Sequence, residues 1–307
     1  MILYEHESFG LHETPRGHPE RAERYAAVKR ALAAAPFAGL ERRAPPPAGR
    51  AALELAHRAD YVDAIFSSAP AEGFIALDPD TMMGPHSLDA ALRAVGGGID
   101  AVDAIFNGAA NAAFVAARPP GHHAPADRAM GFCLFNAAAI AALHARAAHG
   151  AARVAVVDFD VHHGNGTEAI FWRDEAAFYA SSHEWPQYPG TGRETDRGAF
   201  DNIVNAPLPT GSGSDAFRRA WGERLLPALD RFDPDLIVIS AGFDAHRADP
   251  IGGLALTEAD FAWVTREIVG VARAHCRGRI VSLLEGGYDR AALAASAAAH
   301  VAALMED

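Results

Sequence analysis

The chain has 307 residues, 50% of them hydrophobic and 21% charged, which suits a globular core large enough for one big α/β domain or two smaller ones. A formal charge of −12 argues against a nucleic-acid footprint and makes acidic partners poor candidates, so a cationic substrate is favoured. The two cysteines, Cys133 and Cys276, form no CxxC pair, so neither a disulfide framework nor a thiolate zinc site is indicated, and any metal must use His and carboxylates.

The amino terminus, MILYEHESFG, lacks a basic segment followed by an apolar core, and no later apolar run reaches membrane-spanning length. A cytoplasmic protein without membrane contact is expected. Met1 to Tyr4 reads as a first strand, followed by a polar loop carrying His6, His12 and His18. A helix is predicted from near Pro19, with Glu20 complementing its dipole and Ala22 to Leu32 continuing in helix formers. The proline-rich segment Arg42 to Gly49 ends that element. A helix around Asp60 to Phe66 comes next, then a Gly/Pro/Asp-rich loop from Ala69 to Pro85 of a length that is often functional. The Ala-rich run Ser87 to Ile105 reads as helix, and Gly96, Gly97 and Gly98 within it predict close packing against a neighbouring backbone.

From Ala112 a design repeats: apolar strand, polar glycine-rich turn, helix. Phe114 to Ala117 leads into RPPGHHA, Val154 to Val157 into DFDVHHGNG, Leu236 to Ser240 into AGFDAHRADP, and Ile280 to Leu284 into EGGYD, with helical stretches such as Ala137 to His149 and Thr257 to His275 between. This alternation implies right-handed crossovers and a mainly parallel sheet with helices on both faces, whose ligands bind beyond the carboxyl ends of the strands. The clusters should meet there, which also predicts one domain over residues 1–307.

The stretch Val154 to Thr167 organises the rest. If its extended conformation continues, Asp158, Asp160 and His162, at spacing two, project to one side. With His122, His123, Asn165, Asp244 and Tyr288 they form a constellation suited to hydrolysis. A hydrolytic zinc site needs three protein ligands and an open position, and Asp160, His162 and Asp244 would supply them while offsetting the charge of the ion. Water at such a site has its pKa lowered toward about 7. The adjacent His122 and His123 are candidates for moving its proton, Asp158 and Asn165 for fixing their tautomers, and Tyr288, on the Gly286-Gly287 turn, for donating to a developing oxyanion.

On GHPERAERY, RPPGHHA, GFCLFN, VDFDVHHGNGT, SSHEWPQYPGTG, AGFDAHRADPIGG and LLEGGYD, in that order over nearly the whole chain, the sequence resembles the histone deacetylase family of the class II and bacterial amidohydrolase-like kind. The resemblance implies a single-domain arginase-deacetylase fold with one catalytic Zn2+ on Asp160, His162 and Asp244. It implies a general base and acid pair at His122 and His123, supported by Asp158 and Asn165, with Tyr288 polarising the amide carbonyl. Gly131, Phe132 and Tyr188 match the channel wall around the acyl-lysine stem, and Asp80 matches a rim carboxylate. A structural K+ is expected near Asp158, Asp160, His162, Ser181 and Ser182. Ile251, in the channel, is apolar where one polyamine-selective branch carries an acidic gatekeeper. Ala137 follows GFCLFN where the family often has a second Asn.

The activity implied is removal of acetyl groups from N-acetyl-lysine in proteins or peptides. Hydrolysis of small acetylated amines such as acetylpolyamines uses the same residues and is the alternative. A non-catalytic acyl-amine binder is disfavoured by the intact set, and a two-metal ureohydrolase by His163, which stands where another acidic ligand would be wanted. His57, His86, His144, His149, His275 and His300 read as surface or packing residues, and Cys133 as a buried small hydrophobe. A monomer or a modest dimer is compatible with the chain length.

Overall fold

The computed structural model describes residues 1–306. Its strands are β1 (Ile2–Tyr4), β2 (Glu41–Arg43), β3 (Ile75–Ala76), β4 (Met82–Met83), β5 (Ala112–Val115), β6 (Val154–Asp158), β7 (Ala177–Trp185), β8 (Ile203–Pro209), β9 (Leu236–Ala241) and β10 (Ile280–Leu284). The helices are α1 (Ser8–Leu11), α2 (Glu23–Leu32), α3 (Arg50–Leu53), α4 (Ala59–Ser68), α5 (Ser87–Phe106), α6 (Ala137–His149), α7 (Asn165–Phe171), α8 (Ser214–Ala220), α9 (Leu226–Phe232), α10 (Glu258–His275) and α11 (Arg290–Met305). Eight strands form one sheet in the order β2-β1-β5-β10-β9-β6-β7-β8, and every pairing in it is parallel. Strands β3 and β4 make a small antiparallel hairpin inside the predicted Ala69–Pro85 loop.

The four strands whose ends carry polar clusters in the sequence, β5, β10, β9 and β6, are contiguous at the centre of the sheet. The chain leaves β5, skips two positions to start β6, and returns later to fill them. Such a reversal opens a crevice at the carboxyl ends. Register keeps those ends level: Asp158 lies opposite Ser181 on β7 and Ser240 on β9. β6, β9 and β10 are buried throughout because helices cover both faces, which is why they read as continuous apolar runs.

Neighbouring residues on one strand separate the two layers. Val115 and Leu283 approach Gly97 and Gly98 of α5, whereas Phe114 and Ser282 meet His300 of α11. The predicted glycine packing is present: a Cβ at Gly96 would lie 1.8 Å from the carbonyl oxygen of Pro46, and one at Gly98 would lie 3.2 Å from Ala141 of α6. Under α11 the core is aromatic, with Phe159, Phe243, Phe261 and His300 in mutual edge or tilted contact.

Several elements differ from the expectation. The polar loop after β1 contains α1. Helix α2 begins at Glu23, so Glu20 precedes it and serves no dipole; it is buried against two arginines instead. Glu41–Arg43 pairs with β1 as an edge strand. β7 and β8 were not legible as strands, because their polar residues, Ser181, Ser182, His183, Glu184 and Asn205, are buried in specific hydrogen bonds and break the apolar pattern.

Candidate active site

Each central strand delivers its loop by a local device. β6 ends at Asp158, and the backbone then bends: the Asp160 N–H donates to Asp158 Oδ1 at 3.1 Å, and the His162 N–H to Asp160 Oδ1 at 2.9 Å. Extended chain therefore stops at Asp158, and the three side chains do not share one direction as expected. Asp158 turns to His122, with Oδ2 3.0 Å from Nδ1, while Asp160 and His162 turn toward Asp244. After β9, Asp244 Oδ1 accepts the Val161 N–H at 2.8 Å, which leaves Oδ2 buried with no hydrogen-bond partner. After β10, Asp289 caps α11 by accepting from Ala291 and Ala292, which fixes Tyr288 directly before the helix.

Asp160, His162 and Asp244 offer ligand atoms within 4.8 Å of one another, one of two such groups among the described residues. His162 Nδ1 lies 3.2 Å from Asp160 Oδ1 and 3.3 Å from Asp244 Oδ2. Glycines make room here: a Cβ at Gly286 would stand 2.0 Å from Asp244 Oδ2, and one at Gly242 would stand 2.0 Å from Asp160 Oδ2. Close approach explains Gly286. Two buried carboxylates facing one imidazole repel, and an orphaned anionic oxygen costs several kcal/mol if nothing cationic meets it. This donor set fits a divalent ion.

The paired histidines differ in partner. His122 Nδ1 faces the Asp158 carboxylate, which Tyr179 also reaches at 3.0 Å, whereas His123 Nδ1 lies 2.9 Å from the amide oxygen of Asn165. Burial alone would lower both. Around His122 the Asp160 and Asp158 carboxylates outweigh burial and raise its pKa to about 10, while burial and the charges of His122 and His162 hold His123 well below the ordinary range. Tyr288 is driven well above 10 by burial, so its hydroxyl keeps its proton. Asp160 is held low despite burial by His122 and His162, and Asp244 is raised by burial and by Asp160.

Above these groups lies a cavity of about 250 Å3 lined by His122, His123, His162 and Tyr288 and walled by Gly131, Phe132, Tyr188, Gln187, Ile251, Pro120 and Asp80. The expected channel residues are thus all brought together. Tyr188 stands edge-on to His123 at 5.1 Å, and Phe132 edge-on to Tyr288 at 6.0 Å. Gly131 has φ +56° and a Cβ there would meet His123 at 2.4 Å. Ser181, opposite Asp158, bonds His183 Nδ1 at 2.9 Å, and Ser182 accepts from Trp221 at 2.9 Å. His163 faces away from the cluster, toward Glu168 at 3.0 Å and Thr191 at 2.8 Å.

Several supporting residues escaped the sequence reading. Glu285 Oε2 accepts the Gly121 N–H at 2.6 Å and the His122 N–H at 3.2 Å, fixing the histidine loop; its place at the end of a buried strand was a readable signal. Asn136 is held by His57, whose Nε2 accepts its N–H at 2.9 Å, and its side chain reaches Ala124 O and Thr167. His18 packs on Phe132 at 4.7 Å and bonds the Asp80 carbonyl, bracing the channel wall. Arg24 lies 4.8 Å over the Tyr288 ring and donates to the carbonyls of Glu285 and Gly287. None of these last contacts has a local sequence signal, since each joins distant segments.

Residues 18–304 match the histone deacetylase domain family. The histone deacetylase-like amidohydrolase of Pseudomonas aeruginosa is 40% identical over 281 residues, covering 90% of this chain and 73% of that one. Histone deacetylase 14, chloroplastic, of Arabidopsis thaliana is 45% identical over 191 residues, 61% of this chain, which spans only 45% of that relative's length. The crystal structure of the HDA15 HD domain superposes with a TM-score of 0.94 at 34% identity, covering 100% of this chain and 91% of that one. The chain belongs to the histone deacetylase family.

Proposed function

We propose that this family hydrolase removes acetyl groups from N-acetyl-lysine side chains of proteins or peptides, with the whole chain acting as one catalytic unit. The observation that carries the reading is the pair of adjacent histidines with unlike partners, a carboxylate for His122 and an amide for His123, both lining the cavity that holds Tyr288 and the buried acidic cluster.

Asp160, His162 and Asp244 would hold Zn2+, favoured over iron by family resemblance. When bound, that ion supplies Lewis acidity toward the amide carbonyl and lowers the pKa of water in the site. The chain's own groups do the rest. Asn165 accepts Nδ1–H of His123, so Nε2 keeps a lone pair directed at the cavity and takes the proton of the attacking water. His122, anchored by Asp158, tunes its neighbour electrostatically. Tyr288, protonated, donates its hydroxyl to the carbonyl oxygen as negative charge collects there. The histidine pair then returns the proton to the departing amine. Asp158, Ser181 and Ser182 are buried, with Ser181 beside Asp158 in the sheet, and we retain the structural K+ there on family resemblance.

Gly131, Phe132 and Tyr188 give the cavity apolar walls for a lysine stem, Ile251 adds no charge, and Asp80 at the cavity presents a carboxylate for a substrate backbone N–H. The same Asp80, on a protein of formal charge −12, suits the ammonium of a small acetylated amine, which is the second reading. Among described residues no helix is long and apolar enough to cross a membrane, and we retain the cytoplasm as the proposed location.

Acetate release from an equimolar mixture of an acetyl-lysine peptide and acetylated polyamines, resolved by mass spectrometry with a chelator-treated control, tests the reading. Preferential loss of the peptide's acetyl group is expected. Preferential polyamine turnover would overturn the lysine assignment, and equal release in chelator would overturn the metal dependence.

A further inference from the structure

At the edge of the sheet opposite the proposed active site, where α5 and α6 end before β5 and β6 begin, three side chains converge that the proposed reaction does not use. His144 and His149 both belong to α6, and each places Nε2 2.7 Å from the same oxygen, Oδ1 of Asp103 on α5. The ligand atoms of the three lie within 4.8 Å of one another. Both rings are held in place: His149 stacks on Phe106 at 4.8 Å and 18°, Arg279 lies 4.4 Å over Phe106, and His144 meets His149 edge-on at 5.9 Å. The side chains remain reachable from solvent, at 18% and 17% exposure for the histidines and 42% for Asp103.

As a purely hydrogen-bonded cluster this arrangement is economical for neither imidazole, since both must donate to one carboxylate oxygen while the second oxygen goes unused by them. With both Nε2 atoms deprotonated, the same groups offer two imidazole nitrogens and one carboxylate oxygen within 4.8 Å of one another, on side chains that solvent reaches. That is a donor set for zinc and neighbouring first-row divalent ions. We propose that Asp103, His144 and His149 bind a divalent transition-metal ion that clasps α5 to α6. The two helices already touch where Gly98 approaches Ala141, so the ion would lock an existing interface rather than create one. Because the cluster lies at the amino-terminal edge of the strands, its effect falls on stability and not on turnover.

The test uses the full chain. Equilibrium dialysis against excess zinc, followed by metal analysis, should give one more zinc per chain in the unaltered protein than in His149→Gln, with a melting temperature in excess zinc higher by about 2–4 °C. Copper(II) titrated into the unaltered protein, read by electron paramagnetic resonance, requires no variant: the α5–α6 set offers two imidazole nitrogens whereas Asp160, His162 and Asp244 offer one, so a two-nitrogen splitting is expected. Equal zinc content in the two proteins, or no two-nitrogen spectrum, would overturn the site. A loss of acetate release in zinc-saturated His149→Gln would overturn its assignment as a structural clasp.

Discussion

Asp249 accepts the backbone N–H of Tyr288 at 2.7 Å, while its other carboxylate oxygen accepts from Ile251 at 3.0 Å and Gly252 at 3.3 Å. One side chain thus pins the loop after β9, which carries a wall of the cavity, to the turn that carries the proposed oxyanion donor. Replacing Asp249 by Ala should lower kcat about tenfold to a hundredfold with little change in KM, because the donor is displaced rather than removed. Asp249→Asn, which retains one acceptor oxygen, should restore part of the loss. Steady-state kinetics at full zinc occupancy read both, and a variant with normal kcat would refute the positioning role.

The hydroxyl of Tyr288 itself is the larger lever. Tyr288→Phe should cut turnover roughly a hundredfold to a thousandfold, the usual size for loss of one oxyanion donor, while zinc content stays normal. Single-turnover acetate release together with metal analysis checks it, and near-normal activity would remove Tyr288 from the chemistry.

Metal removal should separate two carboxylates only two residues apart. Asp160→Ala or Asp244→Ala should lose zinc, because each contributes a ligand atom to the buried cluster. Asp158→Asn should keep zinc and lose about tenfold to a hundredfold in rate, because Asp158 faces His122 instead. Full zinc occupancy in either Ala variant would refute the ligand set.

Glu20 should matter for stability well beyond its place in a loop. Its carboxylate is buried, accepts from Arg24 at 2.8 Å and Arg118 at 2.6 Å, and lies 3.2 Å from His12. Burial opposes its charge, but Arg118, His12 and Arg24 together hold its pKa well below the usual range. Glu20→Ala leaves two buried guanidinium groups without their anion and should cost about 3–5 kcal/mol, measured by urea unfolding. A change within experimental error would show the cluster relaxes into solvent.

Stability should also fall with acid through buried neutral imidazoles. Burial lowers the pKa of His57 to about 4 and of His300 to about 3. In the unfolded chain these groups titrate near about 6.5, so below that pH the unfolded state binds protons the folded state refuses. Their contribution is complete above about 6.5 and is lost as pH falls toward 4 for His57 and 3 for His300. Each adds about 1.4 kcal/mol per pH unit to the slope inside its window. Urea unfolding at pH 6 and pH 5 should show this decline, and His300→Gln should reduce the slope by one group's share; an unchanged slope would refute the assignment of His300.

Local patterning determined much of this protein. The apolar β-branched runs ending in DFDVHHGNG, AGFDAHRADP and EGGYD were legible as buried parallel strands, and a parallel sheet places such ends at one edge, so the meeting of His122, Asp158, Asp160, Asp244 and Tyr288 followed from the sequence. The division of Asp158 from the ligand set Asp160, His162 and Asp244 was also expected; what the tertiary structure alone decided is the backbone path that achieves it. Spacing put Asp158, Asp160 and His162 on one face, yet the backbone turns after Asp158 and gives it to His122, because side-chain carboxylates accept backbone N–H groups there and end the strand. Tertiary contacts also recruited Glu20, Arg24, His18, His57, Asp249 and Glu285 to partners distant in the chain. Periodicity records which face of an element is buried, but a buried charge or imidazole is settled by a partner brought from elsewhere, and only the folded chain supplies that partner.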